Sequence, residues 1–192
     1  PFLAPGDLQN AGLSNNAISI SNPLVQEESL LRTSLMPGQL KIISYNQSHR
    51  IKNLKFFEIG HVYLPSEGEQ LLPDEREYLS ISVTGGDATE IVALLDLISS
   101  TMAFPNMQLN QQEIGGLHPA RSAQVFVAGQ NRGVVGEVDP RVLKNYGIDD
   151  SVAWLELDLG SILMGSFGKK KYKSVSKYPS SDIDLAFAVP AD

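Results

Sequence analysis

A glycine-rich segment near the carboxyl end is the first place where this sequence could do chemistry. Residues 165–169 read Gly-Ser-Phe-Gly-Lys, in the manner of loops that bind phosphate. A P-loop requires Gly five residues before the last Gly and Ser or Thr after the Lys. Leu163 and Lys170 occupy those two positions. We therefore interpret the segment as a turn before a strand.

Metal-ligating and nucleophilic side chains form no recognisable set. The histidines, His49, His61 and His118, are far apart in the sequence and show no HExxH spacing. There is no cysteine and no Gly-x-Ser-x-Gly segment, which excludes thiolate zinc sites, cysteine nucleophiles and a serine nucleophile elbow. The sequence therefore predicts no catalytic residue and no metal ligand.

Two groups of basic residues are candidates for binding. Arg32 lies in the mostly apolar stretch 30–35, where an arginine is expected to pair with a carboxylate or a carbonyl group. We predict that it forms a structural ion pair. The second group either contacts a nucleic-acid backbone through salt-sensitive phosphate contacts or belongs to a solvated linker, and we favour the linker. Its members are Lys169, Lys170, Lys171 and Lys173.

The composition describes a folded, acidic chain. Of 192 residues, 42% are apolar and 19% charged, which allows one domain with a hydrophobic core. The net charge of −7 argues against broad, nonspecific phosphate binding. No apolar run approaches the roughly 20 residues that cross a bilayer, so no membrane partner is expected. The first residues do not form a signal peptide, and the missing initiator Met indicates a fragment of a longer chain.

Hydrophobic patterns predict an α+β fold. Helices are expected from Pro37 to about Gln47, from Asp87 to Met102 and briefly after Pro140. Connections between neighbouring strands are mostly short, which favours an antiparallel sheet flanked by helices. Residues 1–16 are expected to be irregular. Strands are expected at residues 55–64, 78–84, 107–113, 122–128, 133–138, 151–159 and 183–189.

Two of these strands alternate between polar and apolar residues. In 78–84, Ser80 and Ser82 face away from the apolar positions, which predicts a half-buried strand. In 151–159, the even-numbered residues are mostly polar and include Glu156 and Asp158. The odd-numbered side of that strand is therefore expected to face the core.

Five segments of the sequence form an ordered set: NPL with ESLLRTSLMPG (22–24, 28–38), FEIGHVY (57–63), LHPARSA (117–123), GVVGEVDP (133–140) and YP with DLAF (178–179, 184–187). In this order they resemble motifs of the bacterial phenylalanyl-tRNA synthetase β subunit. One such segment alone is weak, but five in order between Asn22 and Val189 make the resemblance specific. Ala120, Asp139 and Ile183 depart from the family's usual glycine, histidine and arginine, and the last change puts in doubt a tRNA contact there.

The resemblance implies a catalytic-like core domain, residues 1–176, truncated at its amino end. Residues 177–192 would be a linker and the first strand of a truncated anticodon-binding-like domain. The implied fold is that of class II aminoacyl-tRNA synthetase catalytic domains.

The resemblance also implies that the chemistry lies elsewhere. Attachment of phenylalanine to tRNA(Phe), with ATP and magnesium, belongs to the family's α subunit. The β core packs against α in a cytoplasmic (αβ)2 heterotetramer and meets tRNA through that complex. No cofactor is expected in this chain. The alternative is a tRNA-binding module on the same fold.

The motif residues supply structural or interface candidates and no catalytic ones. Aligning Glu58 with the glutamate of class II motif 2 places Phe56 where the family has a phosphate-binding arginine, and a phenyl ring cannot replace a guanidinium group. No segment resembles the Gly-x-Gly-x-x-Arg of motif 3. We therefore expect an inert domain with an exposed apolar patch where α docks. The candidates are Arg32, Glu58, His118 and Arg121.

Overall fold

The computed structural model describes residues 2–66, 72–165 and 184. Strands and helices follow each other along these residues, with one 3₁₀ turn at Gln26–Glu28. The helices are α1 (Asp7–Asn10), α2 (Met36–Ser48), α3 (Ala88–Met102), α4 (Pro140–Asn145) and α5 (Leu159–Leu163). The strands are β1 (Phe2–Leu3), β2 (Leu30–Leu31), β3 (Lys55–Leu64), β4 (Asp74–Thr84), β5 (Met107–Gln111), β6 (Leu117–Val127), β7 (Gln130–Val138) and β8 (Val152–Asp158).

The main sheet has six strands in the order β3-β4-β8-β7-β6-β5, and every neighbouring pair is antiparallel. Helix α2 packs on one face of the sheet and α3 on the other, so that a separate hydrophobic cluster fills each side. This architecture confirms the predicted antiparallel sheet flanked by helices.

All seven residues of β8 are buried, so the prediction of a polar, outward even-numbered face is wrong. Trp154 packs in the cluster beneath α2, and Leu155 packs in the cluster beneath α3. Because β8 has a strand on each side and a helix over each face, Glu156 and Asp158 are buried together with its apolar residues.

Strand β4 is likewise buried on the side where the sequence indicated solvent. Ser80 and Ser82 are fully buried beneath α2. The Gln39 amide donates to the Ser80 hydroxyl at 2.5 Å, and the Ser82 hydroxyl donates to the Gln39 carbonyl oxygen at 2.6 Å. The prediction of a half-buried strand is wrong, because one glutamine of α2 forms hydrogen bonds with both hydroxyl groups and so allows both serines to be buried.

The amino end is ordered, contrary to the expected irregular segment at residues 1–16. Strand β1 pairs with β2, and Leu3 and Leu8 pack with Leu30 in a third small cluster. Burial of these leucines fixes elements too short to be recognised from a periodic pattern.

Element boundaries differ elsewhere too. β4 begins at Asp74 and β6 at Leu117, each earlier than expected. Asp87 caps α3 as predicted, accepting a hydrogen bond from the Glu90 N–H at 2.9 Å. The predicted strand 183–189 and the domain boundary at 176 lie outside the described residues, apart from Asp184.

Two glycine-to-alanine substitutions are expected to change stability in opposite directions. A Cβ at Gly133 on β7 would overlap the main-chain oxygen of Glu156, whereas a Cβ at Gly38 on α2 meets nothing within 4 Å. Gly133→Ala should lower the free energy of unfolding by about 2 kcal/mol. Gly38→Ala should raise it by about 0.5 kcal/mol. Urea denaturation measures both, and equal effects would contradict the close approach of β7 to β8.

Candidate functional site

The segment between β2 and α2, residues 32–35, crosses from the edge of the sheet to its centre; we call it the strap. At its start, Arg32 Nε donates to the His61 carbonyl oxygen and Nη1 donates to Glu58 Oε1, both at 2.7 Å. The Arg32 carbonyl accepts the Tyr63 N–H at 2.8 Å. A side chain at Gly60 would collide with the guanidinium. The Arg32–Glu58 ion pair therefore fixes the strap to edge strand β3.

The end of the strap holds a buried carboxyl group on β8. The Ser34 hydroxyl lies 3.0 and 3.1 Å from the two Glu156 oxygens, and the Leu35 N–H donates to Oε1 at 2.7 Å. Glu156 is 8% exposed and forms no ion pair within the described residues. Burial raises the pKa of Glu156 to about 7, against the opposing effect of these two donors.

A cleft of about 370 Å³ opens beside Glu156, between the strap and the α2 side of strands β4, β8 and β7. The strand register places Ser80 opposite Glu156, and Tyr78 opposite Asp158. Burial, with a smaller effect from Glu156, raises the pKa of Tyr78 to about 12, so its phenol stays protonated at neutral pH. The polar lining includes Ser34, Arg76, Tyr78, Arg132, Glu156 and Asp158.

Two arginines line this cleft, and aspartates neutralise both. Arg76 Nη1 lies 3.3 Å and Arg132 Nη1 3.8 Å from Asp158 Oδ2, while Arg76 Nη2 lies 2.5 Å from Asp74 Oδ2. Sequence reasoning missed these arginines because neither lies in a recognised motif. Arg76 lies on the same face of β4 as Tyr78 and Ser80, because alternate residues of a strand share a face. A predicted strand that began at Asp74 would therefore have indicated Arg76.

The only tryptophan of the chain also lines the cleft. Trp154 is fully buried, and its indole N–H has no hydrogen-bond partner within the described residues. A buried N–H group without an acceptor is rare in folded proteins and destabilising.

The four motif residues chosen from the sequence form two separate groups. Arg32 and Glu58 meet at β3, whereas His118 and Arg121 lie on β6, with β4, β8 and β7 between. His118 Nδ1 accepts the Ala120 N–H at 3.1 Å, and Arg121 pairs with Glu137 at 2.7 Å. The four lysines, Lys169, Lys170, Lys171 and Lys173, lie outside the described residues.

A second surface, which we call the apolar face, lies on the α3 side of the sheet. Helix α3 packs over β7 and β8, and a groove of about 610 Å³ lies between this helix and strands β3 and β4. Four large apolar side chains there are half or more exposed: Phe57 (68%), Ile59 (51%), Leu97 (59%) and Met102 (50%).

In ranges 2–66 and 72–165, no three His, Asp or Glu side chains are placed to hold a metal ion. No helix of these ranges has the length and apolar character needed to span a membrane.

Removal of the Arg32 side chain is expected to lower the free energy of unfolding by about 2 kcal/mol, because Glu58 and the His61 carbonyl lose a charged donor. Arg32→Lys should recover only part of this, since an ammonium group cannot reproduce the guanidinium fork. Lys52→Ala removes an exposed positive charge as a control. Equal unfolding midpoints for the alanine variants at Arg32 and Lys52 would contradict the role of the strap.

Comparison with solved structures identifies the fold. Two solved structures from Desulfitobacterium hafniense are similar to this chain. One is described as PylSc, a pyrrolysyl tRNA synthetase, and matches with a TM-score of 0.61, and the other, described as pyrrolysyl-tRNA synthetase, matches with a TM-score of 0.64. Each match covers 85% of this chain and 59% or 60% of the other, at 18% identity. The fold is thus that of the class II aminoacyl-tRNA synthetases. At this identity the likeness concerns the fold alone.

Sequence comparison identifies the family within that class. Residues 1–159 match the family described as the phenylalanyl tRNA synthetase beta chain CLM domain. The phenylalanine–tRNA ligase beta subunits of Clostridium tetani and Geobacter metallireducens are 34% and 30% identical over 91% and 98% of this chain. The chain belongs to this family, which confirms the resemblance. It spans 22% and 26% of those relatives' length.

Proposed function

We propose that this chain is a noncatalytic, subunit-assembly domain of a phenylalanyl-tRNA synthetase β chain. Its partner is the α subunit, which joins phenylalanine to tRNA(Phe) with ATP and magnesium in a cytoplasmic (αβ)2 complex. The observation that supports this function is the apolar face, together with a cleft whose two arginines are already paired with aspartates.

The apolar face has the composition of a subunit interface. Large apolar side chains form its centre, and the Lys55–Glu90 ion pair, at 2.6 Å, lies on its rim. Burial of each large apolar side chain contributes about 1.5–3 kcal/mol. Phe57 and Ile59 lie on β3, an edge strand of the sheet, so a partner can cover them without displacing another element.

The charges of the cleft do not suit ATP or magnesium. Arg76 and Arg132 pair with Asp74 and Asp158, so a triphosphate would have to displace both aspartates. The same two aspartates are engaged by guanidinium groups and are poorly available to a magnesium ion. We therefore assign ATP and magnesium to the α subunit of the complex.

ATP–pyrophosphate exchange with phenylalanine tests the noncatalytic role. The chain alone should show no exchange above background, because among the described residues no uncompensated cation of the cleft can stabilise a transferring phosphate. The α subunit with this chain should show exchange. Robust exchange by the chain alone would overturn the proposal.

The alternative, a tRNA-binding module, depends on the four lysines between Lys169 and Lys173. Titration of tRNA into the chain at two salt concentrations separates the two functions, since direct phosphate contacts give a steep salt dependence. We expect only weak binding by the isolated chain. Tight, strongly salt-dependent binding would favour the alternative.

A further inference from the structure

We propose that the cleft binds a small organic cation, namely a primary amine that carries an oxygen acceptor and a compact apolar group. The amine would bind Glu156, and the acceptor would bind the Trp154 indole N–H. This inference is independent of the assembly role, which concerns the opposite face of the sheet.

The size and lining of the cleft fit such a molecule. A volume of about 370 Å³ lies within the usual range for ligand sites, roughly 300–1,000 Å³. Leu13, Met36 and Val134 supply apolar walls, and the lining also contains polar side chains, Glu156 among them. This combination of apolar walls with a few placed polar groups is typical of small-molecule sites.

Glu156 supplies the site for the cation. Among the described residues, its two oxygens accept hydrogen bonds only from the Ser34 hydroxyl and the Leu35 N–H, which leaves acceptor capacity on Oε2. Within the described residues no ion pair neutralises this buried carboxyl group. An ammonium group in the cleft would pair with Glu156, and that pairing favours the ionised carboxylate.

Trp154 supplies an independent indication of a ligand. Its indole N–H is buried without an acceptor, although the residue lines the cleft. A carbonyl oxygen of a ligand would satisfy this donor and remove the penalty of leaving it unpaired.

The arginines argue against an anionic ligand. Arg76 contacts Asp74 and Asp158, and Arg132 lies near Asp158, so neither guanidinium charge is free for a carboxylate or a phosphate. With these pairs intact, Glu156 is the uncompensated group of the lining. The cleft therefore selects positive charge.

Three probes with the same isobutyl group test this selectivity on the 192-residue chain. Leucinamide is a cation with a carbonyl acceptor, leucine is a zwitterion, and N-acetylleucine is an anion. Because Trp154 is the only tryptophan, its fluorescence and its single indole N–H resonance report on the cleft alone. At neutral pH we expect leucinamide to bind with a dissociation constant below about 1 mM. Binding of leucine and N-acetylleucine should be at least tenfold weaker.

Glu156→Gln should weaken leucinamide binding at least tenfold, whereas Asp96→Asn, which removes an exposed negative charge from α3, should leave it unchanged. No change of the indole resonance with leucinamide, or tighter binding of N-acetylleucine, would overturn the proposal. Unchanged affinity in the folded Glu156→Gln variant would do the same. If that variant does not fold, the three probes on the wild-type chain still decide the question.

Discussion

Phe57→Asp is expected to lower the affinity of the chain for its α subunit by at least about 100-fold, equivalent to about 2.7 kcal/mol. Phe57 is the most exposed large side chain of the apolar face. In the complex, an aspartate at this position would be a desolvated charge without a partner. Co-purification of the variant with a tagged α subunit, followed by calorimetric titration, measures the loss.

Leu24→Asp is the matched control for this substitution. Leu24 is a large apolar residue, 97% exposed, that does not line the groove of the apolar face, so its replacement introduces the same charge outside that groove. Both variants should unfold at nearly wild-type denaturant concentrations, because neither side chain belongs to a core cluster. Equal binding of both variants to α would show that another surface forms the interface.

The second large effect concerns the pH dependence of stability. The pKa of Glu156 is raised from 4.5 to about 7 in the folded chain. The folded state therefore holds this proton more tightly than the unfolded state. Protonated Glu156 makes its full contribution to the free energy of unfolding at low pH, and this contribution is lost as the pH rises from about 4.5 to about 7. The loss amounts to about 3 kcal/mol.

Glu156→Gln should remove this dependence, because an amide does not ionise yet can still accept the Leu35 N–H. We expect the variant to gain stability relative to wild type between about pH 5 and about pH 8. Arg32 favours the ionised carboxylate, Glu58 opposes it, and the Tyr78 phenol remains neutral over this range. The free energy of unfolding of both proteins is measured with urea across these pH values. If it varied with pH in the same way for both, this would contradict a buried, cation-free Glu156.

The sequence predicted the main sheet well because alternation and turn signals are local. β3 was predicted with its observed limits, Lys55–Leu64, and the Asp87 cap locates the start of α3. The error in β8 has a different origin. Its Glu156 and Asp158 look like solvent-facing residues, and contacts with residues distant in the sequence, such as Ser34 and Arg76, make their burial tolerable.

The candidate site was only partly accessible from the sequence. An arginine in an apolar stretch correctly indicates a carboxylate or carbonyl partner, and Arg32 contacts one of each. The cleft escaped prediction because its side chains come from β4, β7 and β8, far apart in the chain. Trp154 and Glu156 become neighbours of Arg76 and Arg132 only after the strands pair.

The strap gives the LRTSLMPG segment a physical role. Arg32 ties it to β3, Ser34 and Leu35 tie it to Glu156 on β8, and Pro37 lies in the first turn of α2. One short segment thereby sets the position of a helix over both the edge and the centre of the sheet. Its residues need no catalytic role to account for their identities.

Coexpression of this chain with a phenylalanyl-tRNA synthetase α subunit tests the central claim most directly. The assembly role predicts a single species in size-exclusion chromatography that contains both chains in equal amounts. In that species Phe57 and Met102 should be protected from solvent. Separate elution of the two chains at micromolar concentrations would contradict it.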